Sequence, residues 1–174
     1  ASKGGNAGDG GTCLLTVVRR GGAGSVEMID MLLRGGADID APGKDGRTSL
    51  AVAAGARGSE EMVRVLVVNG ADVNRADDEG RTALYVAAQM GHSEVAALLV
   101  TEGKADVDKA KNGGWTPLLF AAQKGHTEVA ALLVTEGKAD VDKANNNGAT
   151  PLFIAAQKGH TEIAALLVTE GKAD

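Results

Sequence analysis

A segment of this chain recurs at a spacing of 34 residues, and this recurrence restricts the fold more than any other feature of the sequence. Residues 155–174 match residues 121–140 at 19 of 20 positions. Residues 87–110 match residues 121–144 at 22 of 24 positions. Tandem units of this size bury their apolar faces against their neighbours, so the sequence predicts a linear stack of units. Five threonines mark the period: Thr12, Thr48, Thr82, Thr116 and Thr150.

The fourth unit shows what each copy encodes, which is a pair of short helices. Thr116 is predicted to cap the first helix, and Pro117 suits the first helical position because a missing N–H does no harm there. Gly125 is placed to end this helix in a left-handed conformation. Thr127 is predicted to cap the second helix, and Gly137 to end it. Small and aliphatic residues recur at helical spacing, so the predicted fold class is all-α.

Composition limits both the core and the classes of function. Hydrophobic residues make up 44% of the chain and aromatic residues only 2%, so the core must consist of Ala, Leu and Val. A net charge of −5 argues against a nucleic-acid-binding protein. No apolar run approaches the ~20 residues of a membrane span. The single cysteine, Cys13, excludes an internal disulfide framework, and no secretory signal is visible. We expect a cytoplasmic protein, or else a nuclear one.

No stretch of the sequence has the pattern of a metal, cofactor or catalytic site. His92, His126 and His160 recur once per unit, about 10 Å apart in a helical stack, and cannot converge on one ion. The glycine-rich stretches lack the phosphate-binding and dinucleotide patterns. The carboxylates recur with the repeat, whereas a catalytic pair is a unique constellation. We therefore expect a protein that is not an enzyme and holds no cofactor, with the histidines in structural turns.

The motifs within each unit resemble those of one known family. Thr-Pro-Leu opens two units, and Ala-Ala, Gly-His and Leu-Leu pairs follow at constant offsets. Together they are similar to the ankyrin repeat, whose signature is T-P-L-H-x-A. The resemblance implies an all-α solenoid of five stacked helix–turn–helix units with protruding β-turn or hairpin loops. The matching motifs begin at Thr116, Thr150, Ala87, Ala121, Ala155, Gly91, Gly125, Gly159, Leu98, Leu132 and Leu166.

On this reading the chain divides into an arm and five units. The predicted intervals are a flexible Gly-rich arm at 1–8, a divergent first repeat at 9–42, and repeats at 43–76, 77–110, 111–144 and 145–174, the last incomplete and uncapped. The chain also departs from the family's pattern. The signature's His is replaced by Tyr85, Leu119 and Phe153, which leaves open how neighbouring helix starts are tied. Lys104, Lys138 and Lys172 are insertions, predicted to fall in the loop after the second helix.

The resemblance implies a protein-binding module whose turn tips and first helices line a concave groove. Trp115 is the sharpest candidate contact, because Arg47, Arg81 and Ala149 replace it in other units and such a variable position should be exposed. Trp and Arg are also enriched in binding hot spots. We expect Trp115→Ala to weaken partner binding without changing the melting curve, although cover over a neighbouring turn is an alternative role. The predicted partner contacts are Trp115, Arg81, Arg47, Tyr85, Met90, Asn112, Lys124, Phe153, Asn146 and Lys158.

Two further expectations concern partners. The near-identity of the units also suits a structural spacer or regulatory arm that contacts its own chain within a larger enzyme or channel. The last unit is predicted to carry Ile163 and Leu166-Leu167 on its outward surface. Such an uncapped surface would favour end-to-end contact with a second copy.

Overall fold

The computed structural model describes residues 13–170, which form ten α-helices in five successive pairs. Each pair is one unit, with a first and a second helix, and each predicted interval from 9–42 onward contains one pair. The predicted arm at 1–8, Thr12 and Lys172 lie outside the described residues. The helices are α1 Cys13–Arg20, α2 Ser25–Arg34, α3 Ser49–Ala54, α4 Glu60–Val68, α5 Ala83–Met90, α6 Ser93–Thr101, α7 Pro117–Lys124, α8 Thr127–Thr135, α9 Pro151–Lys158 and α10 Thr161–Thr169.

The first helices of units 2 to 5 begin as predicted. The hydroxyl of Thr116 accepts a hydrogen bond from the backbone N–H of Leu119 at 3.2 Å, and Thr48, Thr82 and Thr150 do the same in their units. Pro117 occupies the first turn of α7. Gly125 ends the helix with φ of 75°, a left-handed conformation. The capping chemistry of the threonine period therefore sets where each unit begins.

The second helices begin one residue earlier than predicted. The cap of α8 is His126, and its carbonyl accepts from the N–H of Ala130 at 3.0 Å, which makes Thr127 the first helical residue. The prediction that Thr127 caps this helix is wrong. The tight turn at Gly125 lets the helix start at once, and the Thr127 hydroxyl instead donates to Glu162 of the next unit at 3.4 Å. This side chain contributes to stacking.

The inserted lysines lie where each second helix ends, as predicted. Lys104 and Lys138 have φ of 55° and 57°, whereas Gly70 holds this position in unit 2 with φ of 87°. In unit 2 the N–H of Ala71 donates back to the carbonyl of Leu66, five residues earlier. In unit 3 the equivalent bond spans six residues, from Ala105 to Leu99, at the same 3.0 Å. The extra residue therefore widens the helix exit, and a lysine takes the left-handed conformation that glycine takes in unit 2.

The helices form two layers around one continuous core. First helices pack against first helices of neighbouring units, second helices against second helices, and each unit's pair closes the space between the layers. The core consists almost entirely of Leu, Ala, Val and Ile, as the composition requires. The longest described helix, α2, has ten residues, and no helix within 13–170 has the length and apolar character needed to cross a membrane.

The outward face of the last described unit differs from the prediction. Ile163 and Leu167 are fully buried, because α10 turns them toward α8 and α9. The prediction that they lie on the outward surface is wrong. The exposed apolar side chains there are Phe153 and Val168, which are 57% and 53% accessible. Phe153 holds the repeat position of Tyr85 and Leu119, and both of these are buried beneath the following unit.

Candidate functional site

The loops that precede the first helices end in four turn tips, at residues 43–47, 77–81, 111–115 and 145–149. Each tip is closed by a hydrogen bond from its first N–H to its fifth carbonyl, as between Lys111 and Trp115 at 3.0 Å. Adjacent tips are also joined. The N–H of Asn112 donates to the carbonyl of Glu79 at 3.0 Å, and that of Asn146 to Gly113 at 3.1 Å. The tips thus form one connected row, held mainly by backbone hydrogen bonds.

The fourth residue of each tip is a glycine for two physical reasons. Gly80 and Gly114 have φ of 81° and 78°, a region that L side chains avoid. A Cβ on Gly80 would also lie 2.9 Å from the backbone N of Asn112, and one on Gly114 would lie 2.8 Å from that of Asn146. The row can therefore be this closely spaced only with glycine at these positions.

The third unit's tip is organised by a buried carboxylate. Asp77 accepts hydrogen bonds from the backbone N–H groups of Glu79 and Arg81 and from Arg81 Nε at 2.8 Å. The Asp77 side chain is 1% exposed and that of Arg81 only 19%. Desolvation lowers the pKa of Arg81, but the hydrogen bond and charge of Asp77 outweigh it and hold the pKa above its usual value. Arg81 is thus largely committed to its own tip.

Arg47 is similarly paired in the tip of unit 2. Its Nε lies 2.6 Å from the carboxylate of Asp45. Burial alone raises the pKa of Asp45, but the charge of Arg47 and local backbone hydrogen bonds lower it overall. The tips of units 4 and 5 contain no Asp or Glu. The arginines of units 2 and 3 are therefore neutralised within their tips, and the later tips lack the carboxylates to do this.

Three aromatic rings meet where units 3 and 4 join. The ring of Phe120 lies edge-on to Tyr85 at 5.2 Å and to Trp115 at 5.7 Å between centroids. Lys124 Nζ lies over the Phe120 ring, 5.8 Å from its centroid. Edge-to-face contacts of this kind stabilise beyond simple burial, and the lysine adds a cation–π interaction. We call Tyr85, Trp115 and Phe120 the aromatic cluster.

The cluster corrects two expectations about exposure. Tyr85 is 1% exposed, so its predicted place on the accessible surface is wrong, and burial raises the pKa of its phenol. Trp115 is partly buried and packs against the core. Arg47, Arg81 and Ala149, which hold the same tip position in other units, are also partly buried. A position that accepts Arg, Trp and Ala is thus half-covered rather than exposed. Arg47, Arg81 and Trp115 each contact a residue of their own unit, so the side chain at this position need not match a fixed cavity.

The other predicted contact residues are accessible. Phe153 lies at the repeat position where Tyr85 and Leu119 are buried by the following unit. The other accessible residues lie at tips or at the ends of first helices. Phe120 is not one of the individual predicted contacts. It does lie in the stretch from Lys111 to Phe120 that fails to repeat between neighbouring copies, and this lack of repetition is the sequence signal that points to it. The exposed predicted residues are Met90, Asn112, Lys124, Asn146, Phe153 and Lys158.

A hollow of about 280 Å³ lies beside the cluster, between units 2 and 3. Its walls come from two tips, through Arg47 and Arg81, and from two first helices, through Ala51, Gly55 and Met90. The small residues of α3 leave this space open. The turn tips and the accessible side of the first helices thus form one surface, which we call the inner surface. It contains a recess next to the aromatic cluster.

Charge is divided between the two helix layers. None of the five first helices contains an Asp or Glu, and α7 and α9 each end in a lysine. Every second helix contains at least one carboxylate. The chain therefore has a net negative charge, although its layer of first helices carries only positive charge.

The histidines tie neighbouring units together. His92 Nδ1 lies 3.1 Å from the carbonyl of Ala54, and His126 Nε2 lies 3.2 Å from that of Gln89, at the end of the previous unit's first helix. This structural role agrees with the expectation of a turn histidine. It also supplies a link between units where the signature's own His is replaced. Among residues 13–170, no three His, Cys, Asp or Glu side chains come together in a metal-binding group.

Comparison with known proteins gives one finding for this arrangement. A family model described as ankyrin repeats (3 copies) matches residues 14–111 and 103–174. These matches include every described helix except the first residue of α1. A search of curated proteins gave no match.

Proposed function

Because this chain belongs to the ankyrin repeat family, whose members are generally protein-binding modules, we propose that it is a non-catalytic protein-binding module that uses its inner surface. The observation that carries the proposal is the connected row of tips beside the open recess and the aromatic cluster. Backbone hydrogen bonds between Asn112 and Glu79 and between Asn146 and Gly113 hold the tips in position before any partner binds. Such preorganisation reduces the entropic cost of association.

The exposed residues of the row supply recognition without disturbing the frame. Asn112 and Asn146 form the links between tips with their backbone N–H groups, and their side chains are exposed, with the Asn112 amide also donating to the carbonyl of Asp78 at 3.4 Å. Met90 and Lys124 lie at equivalent positions in neighbouring first helices and differ in chemistry. The units can thus present different contacts along one rigid scaffold. The proposed partner is another protein, not a nucleic acid or a membrane.

The experiment is site-specific photo-crosslinking in cell extract. A photoreactive residue replaces Met90 on the inner surface, and a matched variant carries it at Val68, which is 73% exposed on the second helix α4. We expect crosslinked proteins at the first position and few at the second. Equal crosslinking at both positions would contradict the use of the inner surface.

The alternative role as a spacer or regulatory arm is supported by one observation. Helices α8 and α10 differ at one position, Val129 against Ile163, and both of these residues are buried, so the accessible side chains of these two second helices are identical. A surface that repeats suits uniform packing along the array better than selection of one ligand. The same crosslinking experiment, repeated with the full-length reading frame, separates the roles. Crosslinks within the same polypeptide alone would support the spacer.

A further inference from the structure

Within the described part of the chain, the lysines of the inner surface in units 4 and 5 have no carboxylate partner. Lys111, Lys124 and Lys158 form no ion pair with any residue in 13–170, whereas Arg47 and Arg81 are paired within their own tips. Residues 109–127 and 143–161 contain no Asp or Glu. Lys124 and Lys158 are exposed, and both extend from the last turn of a first helix. The arginines of the inner surface are therefore paired within units 2 and 3, whereas the unpaired lysines make the inner surface of units 4 and 5 positively charged.

Apolar groups lie directly beside this charge. Lys124 covers the ring of Phe120, which packs against Trp115, and Met90 is 49% exposed at the equivalent position of the preceding unit. A ligand that follows the end of the first helices therefore meets an apolar residue and then two lysines. From this order and from the charge complementarity, we infer that units 3 to 5 bind an acidic, extended segment of a partner protein with an apolar side chain seated near Met90 and Phe120. This inference rests on the proposed function and specifies its partner.

The stack also sets the spacing of the acidic residues. Neighbouring first helices lie about 10 Å apart, and an extended chain in the polyproline II conformation advances about 3.1 Å per residue with about three residues per turn. Carboxylates that contact Lys124 and Lys158 are therefore about three residues apart in the bound segment, because residues at that spacing share one face of such a chain. Long-range attraction between this surface and an acidic segment weakens with salt, because the lysines are exposed.

A single-stranded nucleic acid fits less well, although it also combines negative charge with flat rings. Base stacking needs a free aromatic face. The face of Phe120 lies under Lys124, and Trp115 is partly buried against the same ring. The exposed carboxylates of Asp78 and Glu79 on the neighbouring tip oppose a phosphate chain that continues along the row.

The test is a random-peptide display selection against the intact chain, followed by fluorescence anisotropy with the enriched peptides. We expect enrichment of peptides with two Asp or Glu about three residues apart and an apolar residue beside them. Lys124→Glu and Lys158→Glu should each weaken binding about tenfold, and Lys138→Glu, which makes the same charge change at the exit of α8, by less than about twofold. Circular dichroism establishes that each variant is folded.

Several outcomes would overturn the inference. They are a selection that enriches no peptide or peptides without acidic residues, equal weakening by Lys138→Glu, and displacement of the peptide by poly-uridine RNA. A wild-type dimer in ultracentrifugation that Lys124→Glu dissociates would identify a second copy as the occupant instead. Non-acidic peptides, or a failed selection alongside inner-surface crosslinks in extract, would remove the acidic preference and leave the binding function standing.

Discussion

The imidazole of His126 lies directly against Gly91 of the preceding unit. A Cβ on Gly91 would lie 2.7 Å from His126 Nδ1, closer than van der Waals contact allows. The same imidazole is 3.2 Å from the carbonyl of Gln89 through Nε2. His160 approaches Gly125 in the same way, with its Cε1 2.7 Å from a Cβ placed there. The Gly-His pair is therefore a joint between units as well as a helix end.

We expect Gly91→Ala to destabilise the chain more than Gly159→Ala. Both glycines end a first helix in the left-handed region, with φ of 73° and 74°, so both substitutions cost about 1–2 kcal/mol in backbone conformation. Only Gly91 meets a neighbour, since a Cβ on Gly159 has nothing within 4 Å. The displaced imidazole should add about 1 kcal/mol or more through its lost hydrogen bond. Urea unfolding followed by circular dichroism measures the difference, and equal losses would mean that the His126 joint contributes nothing.

Substitution of the inserted lysine by glycine should stabilise the chain. Lys104 holds φ of 55°, which costs an L residue about 1–2 kcal/mol, and glycine removes this cost. The greater freedom of glycine in the unfolded chain offsets part of the gain, so the expected net effect of Lys104→Gly is about 0.5–1 kcal/mol. Lys104→Ala is the control, because it removes the same side chain and keeps the strain. An equal gain from alanine would assign the effect to the lost charge.

The aromatic cluster reverses the stability effect expected for Trp115 from sequence. Because Trp115 is partly buried against Phe120, Trp115→Ala should cost about 1–2 kcal/mol rather than leave the melting curve unchanged. A double-mutant cycle with Phe120→Ala should give a coupling energy of about 0.5–1.5 kcal/mol. Tyr85→Phe is a control that keeps the ring. Additive effects of the two alanine substitutions would contradict the cluster's role.

The sequence was sufficient where structure depends on local chemistry. Thr116, Pro117 and Gly125 act within one helix, and their capping roles could be predicted from residue type and spacing alone. The position of Trp115 could not, because its cover comes from Phe120 on the next helix, and Phe120 in turn rests on Tyr85 of another unit. Comparison of the repeats identifies which positions vary in sequence. It does not show which of these positions are buried, because a variant side chain can pack against residues of its own unit.

A carboxylate that links two units gives the last prediction, and Asn74 provides its natural comparison. Asp108 accepts a hydrogen bond from the backbone N–H of Asp140 at 3.1 Å, just as Asn74 accepts from that of Asp106 at 2.8 Å. Burial raises the pKa of Asp108, although the Asp140 N–H and the charge of Lys143 oppose this. The charged form is thus disfavoured in the folded chain relative to the unfolded chain.

The sign of the pH effect follows from that raised pKa. Above the folded-state pKa the ionised Asp108 lowers stability, and this cost disappears as the pH falls below the unfolded-state value. Asp108→Asn keeps the acceptor oxygen and removes the charge, so it should raise the unfolding midpoint in urea at pH 7. Its advantage should shrink as acid protonates the wild-type side chain. The reciprocal Asn74→Asp should lower the midpoint at pH 7 and lose its penalty in acid. An Asp108→Asn effect that stays constant with pH would show that the carboxylate's titration does not limit stability.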